Sequence, residues 1–378
     1  MRYPLAEGEK YCLWMGMPDH HTLDFMRAMY DRGIDLKVRF FDRVSGYRIG
    51  MGWKAEPKLH ENEALVQADM SALRLVPDWR DRIHIVPGTV GDRFLMALVD
   101  ELIRCKVEWV HWSECVKPGL NRILRIPIRK RYGQKIQKYA IGALAISKMA
   151  EREFMRWGLS GEKIKWLPYS ANPLQHHGQK DDQIASFCGG RFVFMFCGAL
   201  CHRKGVDVLL SSFAAIARRY GDTVLVLVGP DMENGKYQAQ TRHEGIIQHV
   251  LFRGVVKAES IGRLLSMCDV FILPSRYDGW GMVLFEAASL GKAVIATDRC
   301  GAAHHLIMEG VNGFKVKAGD SISLQNAMER YVSSPEMAID HGKNSARISE
   351  FFSPGNNVER FLDAMQVFLR LKRLRESM

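Results

Sequence analysis

Apolar positions along this chain follow two rhythms. Short uninterrupted apolar runs alternate with segments whose apolar residues recur every three or four positions. The first rhythm fits strands buried on both faces, and the second fits amphipathic helices. In the first half, residues 11–16, 36–41, 83–86, 107–112 and 143–147 read as strands, with 163–168 closing that part. Helices are predicted over 22–32, 92–103 and 149–157, while 42–80 is weakly patterned. Residues 170–190 read as a linker, because Asn172-Pro173, His176-His177-Gly178 and Gly189-Gly190 break any periodicity. The rhythm then restarts. Strands are predicted at 192–197, 224–228, 251–253, 270–274 and 293–297, and helices at 205–220, 258–267, 283–290 and 356–375. Alternation of this kind predicts two doubly wound α/β domains, in which ligands bind at the carboxyl ends of the strands.

A length of 378 residues agrees with two domains, and 47% hydrophobic with 25% charged residues fits a folded chain. No apolar run reaches the ~18 residues of a membrane span. Glu7 and Glu9 near the start argue against a secretory signal. Eight scattered cysteines without a C-x-x-C pair read as free thiols of a reducing compartment. Charge is uneven. Residues 1–180 hold 30 basic and 21 acidic side chains, a net +9, which leaves +2 of the total +11 for the remainder. The asymmetry points to an anionic partner on the first half.

Two segments carry candidate chemistry. Gly198-Ala199-Leu200-Cys201-His202-Arg203-Lys204-Gly205 follows a strand and opens a helix. Glycines let a ligand approach the backbone, the helix start favours an anion, and Arg203 and Lys204 add full charges. Read alone, the loop fits a phosphate site or a surface loop with two solvated cations. Ser275-Arg276-Tyr277-Asp278-Gly279-Trp280-Gly281-Met282 follows another strand, and Glu286 comes eight residues after Asp278. On a helix that spacing sets two carboxylates about 12 Å apart on nearly one side. They would suit two hydroxyl-bearing parts of one extended ligand, or be a helix cap and a surface glutamate.

Together these segments resemble the donor-binding half of retaining glycosyltransferases of family 4 (glycosyl transferases group 1), which have the GT-B fold. The matching positions are Gly198, Leu200, Lys204 and Gly205, then Gly279, Gly281 and Glu286, then "EAASLGKAVIAT" and "EGVNGF" near residue 310. The resemblance covers residues 190–320 well. It implies two Rossmann-like domains facing a cleft: 1–180 on the acceptor side, 181–355 binding a nucleotide-sugar, and a helix 356–378 packing back toward the first domain. By the same resemblance, Lys204 and Arg203 neutralise the donor diphosphate, and Glu286 binds the ribose hydroxyls. Asp278 takes the place of a glutamate that lies against the sugar. Gly279, Trp280 and Gly281 hold sugar and phosphate with backbone amides, and Gly254 to Val256 pass by the base. Ala199 replaces a frequent arginine of the family, and Asp278 is one methylene short.

His111, at the end of a predicted strand, is expected either to contact the sugar, as a histidine of this region often does in the family, or to be a packed structural histidine. Gly16, Asp19 and His20, after the first strand, are candidate acceptor contacts, although Asp19 equally suits a helix cap. Between Glu114 and Glu151 no acidic residue occurs, while Lys117, Arg122, Arg125, Arg129, Lys130, Arg131, Lys135, Lys138 and Lys148 do. Interleaved isoleucines and Leu124 suggest either a segment for an anionic membrane surface or a solvated helix face. Nucleic acid is disfavoured, since no recognisable binding signature accompanies the basic residues.

The expected activity is transfer of a hexosyl-type sugar, with retention, from a nucleotide-diphosphate sugar to a hydroxyl of a glycan or lipid-linked acceptor, in polysaccharide or glycolipid synthesis. No metal and no cofactor are expected. The expected location is the cytoplasm, with a peripheral place on the inner face of the cell membrane as an option. The alternative is a non-catalytic nucleotide-sugar-binding or scaffolding protein of the same fold.

Overall fold

The computed structural model describes all residues except 1, 2, 5, 19, 89–91, 120–123, 175–180 and 378, and the side chains of His20 and His21. The chain divides into two compact units. The first comprises Met1–Ser45, Ala55–Asn172 and Phe352–Met378; the second comprises Gly46–Lys54 and Pro173–Phe351.

The first unit is built on seven strands: β1 Lys10–Met15, β2 Leu36–Phe40, β3 Glu63–Leu65, β4 Arg82–Val86, β5 Trp109–Ser113, β6 Gly142–Ala145 and β7 Ile164–Trp166. They lie in the order β3-β2-β1-β4-β5-β6-β7 and every pairing is parallel. The second unit holds β8 Phe192–Cys197, β9 Thr223–Val228, β10 Val250–Gly254, β11 Val270–Leu273, β12 Ala293–Thr297 and β13 Gly313–Val316. Their order is β10-β9-β8-β11-β12-β13, again all parallel. A parallel sheet is covered by helices on both faces, so its strands read as continuous apolar runs. β9, β11 and β12 are buried at every position.

Most predicted elements recur with ends shifted by a residue or two, β8 and β12 match without shift, and the predicted helix 258–267 is a 3-10 turn Ala258–Ser260 followed by the short helix Ile261–Leu265. The presumed linker is the main difference, because it contains the helix Asp182–Cys188. Asp181 caps that helix by accepting from the Ile184 N–H at 3.1 Å, and Gly189 ends it at φ +54°. The double glycine therefore closes a helix rather than marking open chain. The weakly patterned stretch 42–80 holds the edge strand β3 and the short helix Gly46–Gly50. That helix opens the excursion 46–54, which belongs to the second unit. Gly52, at φ +90°, lies so close that a Cβ there would stand 2.2 Å from the Val256 carbonyl oxygen. Ala258 N–H donates to the Gly52 carbonyl at 3.2 Å, and Lys54 pairs with Glu259 at 3.0 Å.

The final helix, Pro354–Glu376, is capped by Ser353 and belongs to the first unit. It buries Val358, Phe361, Leu362, Met365, Phe368 and Leu369, each worth about 1.5–3 kcal/mol when fully removed from water. Asn357 Nδ2 donates to the Pro168 carbonyl at 2.5 Å. Phe368 lies over Gly142 of β6, where a Cβ would stand 2.4 Å from the ring. Gly142→Val is therefore expected to lower stability by about 1–3 kcal/mol. Denaturant unfolding measures the loss, and hydrogen exchange should locate the earliest opening in 354–376.

Candidate functional site

In the second sheet β8 and β11 are neighbours although not consecutive in sequence, so the chain leaves their carboxyl ends in different directions. The loops that follow them are the two segments singled out by motif. β8 is an apolar run ending at Cys197, after which Gly198 takes φ +151° and donates its N–H to the Val228 carbonyl at 2.9 Å. The tight turn His202–Lys204 ends at Gly205, φ +71°, which starts the helix Val206–Arg219. A Cβ on Gly205 would stand 2.1 Å from the Pro274 carbonyl oxygen, so only glycine lets the two loops touch.

Polar contacts fasten the loops. Arg276 binds both carboxylate oxygens of Asp207 at 2.6 and 2.8 Å and the His202 carbonyl at 2.9 Å. The Arg276 N–H donates to the Arg203 carbonyl at 2.9 Å, and Arg203 Nη1 donates back to the Tyr277 carbonyl at 3.2 Å. A bidentate arginine–carboxylate pair fixes orientation as well as distance. Within this frame Lys204 Nζ meets Asp278 Oδ2 at 2.5 Å, with both side chains largely buried.

The loop of Asp278 is clamped from its other side. Asp278 N–H donates to the Arg299 carbonyl at 2.9 Å and its carbonyl accepts from Gly301 at 3.0 Å. The Trp280 carbonyl accepts from Ala302 N–H at 2.8 Å and from the Cys300 thiol at 3.0 Å. A Cβ on Gly301 would stand 2.0 Å from the Gly279 carbonyl oxygen, and one on Gly281 would stand 2.7 Å from Cys300 Sγ. Trp280 is a core side chain, packed near His305 with ring centroids 5.8 Å apart.

Glu286 projects from the helix Met282–Ser289 and is 9% exposed. Burial pushes its carboxyl up to about 7. Burial also pushes the Cys197 thiol up to about 12, with the Glu286 carboxylate adding to the rise and Lys204 opposing it. Both groups therefore act on the end of β8. The site thus gathers Gly198, Arg203, Lys204, Asp278, Gly279, Trp280, Gly281 and Glu286. Gly254 ends β10 at φ +74° and its carbonyl accepts from Gly229 N–H at 2.9 Å. Val256 follows, beside Gly52. The Asp207–Arg276 staple escaped the sequence reading. Its only signal there was a charged residue directly after the strand-ending Pro274-Ser275.

The residues singled out in the first half lie in the first unit. His111 on β5 is fully buried. Its Nε2 stands 2.8 Å from Ser113 Oγ, its Nδ1 3.3 Å from the Tyr132 hydroxyl, and Tyr132, Phe154 and Trp157 pack around the ring. Burial lowers its pKa to about 3, so it is neutral. Of the two expectations for His111, this burial and these partners are those of a packed structural histidine. Gly16 continues the β1–β2 pairing, its carbonyl accepting from Asp42 N–H at 2.6 Å. Asp19 lies outside the described residues, and His20 opens the helix His20–Asp31.

The raised Glu286 carboxyl gives a stability signature. The folded protein holds this proton up to about pH 7, whereas an unfolded chain releases it near the ordinary 4.5. Its contribution is complete below pH 4.5 and is lost as pH rises through 7. Glu286→Gln is therefore expected to raise the melting temperature relative to wild type more at pH 8 than at pH 5. Paired thermal melts at the two pH values check this.

Comparison with known proteins bears on family and fold. Residues 179–348 match the family "Glycosyl transferases group 1". A stretch of 211 residues is 30% identical to the phosphatidyl-myo-inositol mannosyltransferase of Mycobacterium leprae, covering 53% of this chain and 54% of that one. Another of 226 residues is 24% identical to the alpha-D-kanosaminyltransferase of Streptomyces kanamyceticus, covering 58% of each. The chain spans about half the length of the curated relatives it matches. Among solved structures, Alr3699/HepE of Anabaena in complex with UDP superposes with a TM-score of 0.70 at 16% identity, over 97% of this chain and 100% of that one. At that identity the likeness is one of fold. The fold is thus GT-B, with two α/β domains, and its segment 179–348 matches the glycosyl transferases group 1.

Proposed function

We propose that this protein is a retaining glycosyltransferase of family 4, moving a hexosyl-type sugar from a nucleoside-diphosphate sugar to a hydroxyl of a glycan or lipid-linked acceptor. The observation that carries the reading is the constellation at the β8/β11 switch point, with Lys204 and Asp278 in contact and Glu286 buried on the helix that follows. Relatives that bear transferase names, and a fold neighbour that binds UDP, support it.

In this reading Lys204 and Arg203 hold the donor diphosphate, Glu286 accepts from the ribose hydroxyls, and Asp278 faces the sugar. Backbone N–H groups of 279–281 meet the sugar and phosphate, and Gly254 to Val256 border the base. The bond from the anomeric carbon to the phosphate oxygen breaks, and a bond to the acceptor oxygen forms on the same face. The acceptor's proton passes to the departing diphosphate. Charge gathers on that leaving group, where fixed cations in a buried site stabilise it most. These cations take the part a metal plays elsewhere, so the reaction is metal-independent in this reading.

Glu286→Ala and Lys204→Ala are each expected to cut transfer by at least about 100-fold, with circular dichroism unchanged. Excess EDTA should leave the wild-type rate intact, and proton NMR of the product should show the donor's anomeric configuration. Wild-type rates in both variants would sink the assignment.

A peripheral place on the inner face of an anionic membrane belongs to the same proposal, in polysaccharide or glycolipid synthesis. Among the described residues no helix is long and apolar enough to cross a membrane. The helix Ile126–Tyr139 exposes Ile126, Ile128 and Tyr139, and Leu124 stands exposed just before it. Arg125, Lys130, Arg131 and Lys138 are exposed there, whereas Arg129 is buried and Lys135 pairs with Asp100. Each exposed cation near an anionic surface contributes about 1 kcal/mol. Lys130→Glu with Arg131→Glu should therefore lower cosedimentation with phosphatidylglycerol vesicles at least about tenfold, with transfer to a soluble acceptor retained.

A further inference from the structure

Lys204 and Asp278 are unlike in mobility. The Asp278 backbone is fixed at both its N–H and its carbonyl by the strand-like segment 299–301, and Gly281 and Gly301 are packed too tightly to let that loop shift. Its side chain has a single methylene, so the carboxylate has little freedom. Lys204 instead carries its ammonium on a four-carbon stem with three rotatable donors. Its side chain is 13% exposed and that of Asp278 is 15% exposed, so water screens the 2.5 Å contact poorly. A nearly buried ammonium and a nearly buried carboxylate each require a counter-charge. Here each supplies the other's.

We propose that Asp278 is the resident counter-ion of Lys204 and is exchanged for the donor phosphate, which makes the pair a device that tells donor from spent product. The inference rests on the donor-site reading above. A phosphate competes with Asp278 for the Lys204 ammonium, and binding it draws the ammonium from the carboxylate. An intact nucleotide-sugar compensates, because its sugar hydroxyls donate to the released carboxylate. A nucleoside diphosphate offers no such hydroxyl at that place, so it leaves Asp278 charged, nearly dry and beside the phosphate. The carboxylate therefore weakens the product more than the donor and favours its departure.

The test is calorimetric titration of UDP, GDP and ADP, and of UDP-glucose and GDP-mannose, into wild type, Asp278→Asn, Lys204→Gln and the double variant. Ligand-observed NMR extends the range to millimolar dissociation constants. Asp278→Asn should bind its preferred nucleoside diphosphate at least about tenfold tighter than wild type, as expected for contacting charges that couple strongly. The corresponding nucleotide-sugar should gain less or lose affinity. Because this compares two ligands on one protein, a partly unfolded sample does not imitate it. In the Lys204→Gln background the gain should be smaller, because only the repulsion between carboxylate and phosphate is then relieved. A diphosphate bound no tighter by Asp278→Asn overturns the exchange while leaving the donor site standing. A gain of equal size without Lys204 also overturns it, since general repulsion would then be the cause. If wild type binds none of the five ligands, the donor reading fails and the exchange fails with it.

Discussion

The structure of the site depends on one adjacency, that of β8 and β11. In an all-parallel sheet every strand delivers its carboxyl end to the same edge. Only where the strand order reverses do the following connections separate and leave backbone groups open. Here that position brings Lys204 and Asp278, 74 residues apart in sequence, into contact. Two irregular loops gain nothing from secondary-structure ladders, so the contact needs its own scaffold. The Asp207–Arg276 pair joins the loops from one side, and segment 299–302 holds the second from the other. Gly205 and Gly301 permit backbone approaches that any side chain would block. The spacing of the motif is the linear trace of this scaffold.

What the sequence revealed follows from burial. β8 and β12 could be read without error because strands buried on both faces leave an unbroken apolar run. The helices Lys236–His243, Ser321–Ser333 and Pro335–Ser349 went unpredicted. In the first only Tyr237 and Thr241 are buried, a stripe too thin to show as a period. The other two did carry end signals, an Asp320 cap and Pro335 in the first turn. Lys204, Asp278 and Glu286 were legible as motif positions. Arg276 was not singled out, because its partner lies 69 residues away and spacing does not encode tertiary pairing. His111 shows the same limit differently. On a strand buried on both faces, an inward histidine reads alike whether it meets a ligand or a core. Only its contacts with Ser113, Tyr132 and Phe154 decide.

Net charge proves a poor guide to where charge acts. The first 180 residues carry most of the excess, yet several of their cations are tied to internal partners. Arg82 binds Asp35 and Asp78, and Lys135 binds Asp100. Lys163 is buried against the Gln137 and Ala140 carbonyls at 2.7 and 2.6 Å, its pKa lowered to about 8 by burial. Around the helix Ile126–Tyr139, the exposed cations are Arg125, Lys130, Arg131 and Lys138. The later part of the chain is nearly balanced, yet it holds the site where cations can do most. Lys204 and Arg203 stand at a strand end with a helix start behind them, in surroundings dry enough to raise the Glu286 carboxyl to about 7. Low screening strengthens each pair and raises the penalty for each unpaired charge alike. A site of this kind is selective through the charges it leaves unsatisfied as much as through those it pairs. On the exchange proposed above, one carboxylate set against one lysine makes a ligand's hydroxyls count beside its phosphates.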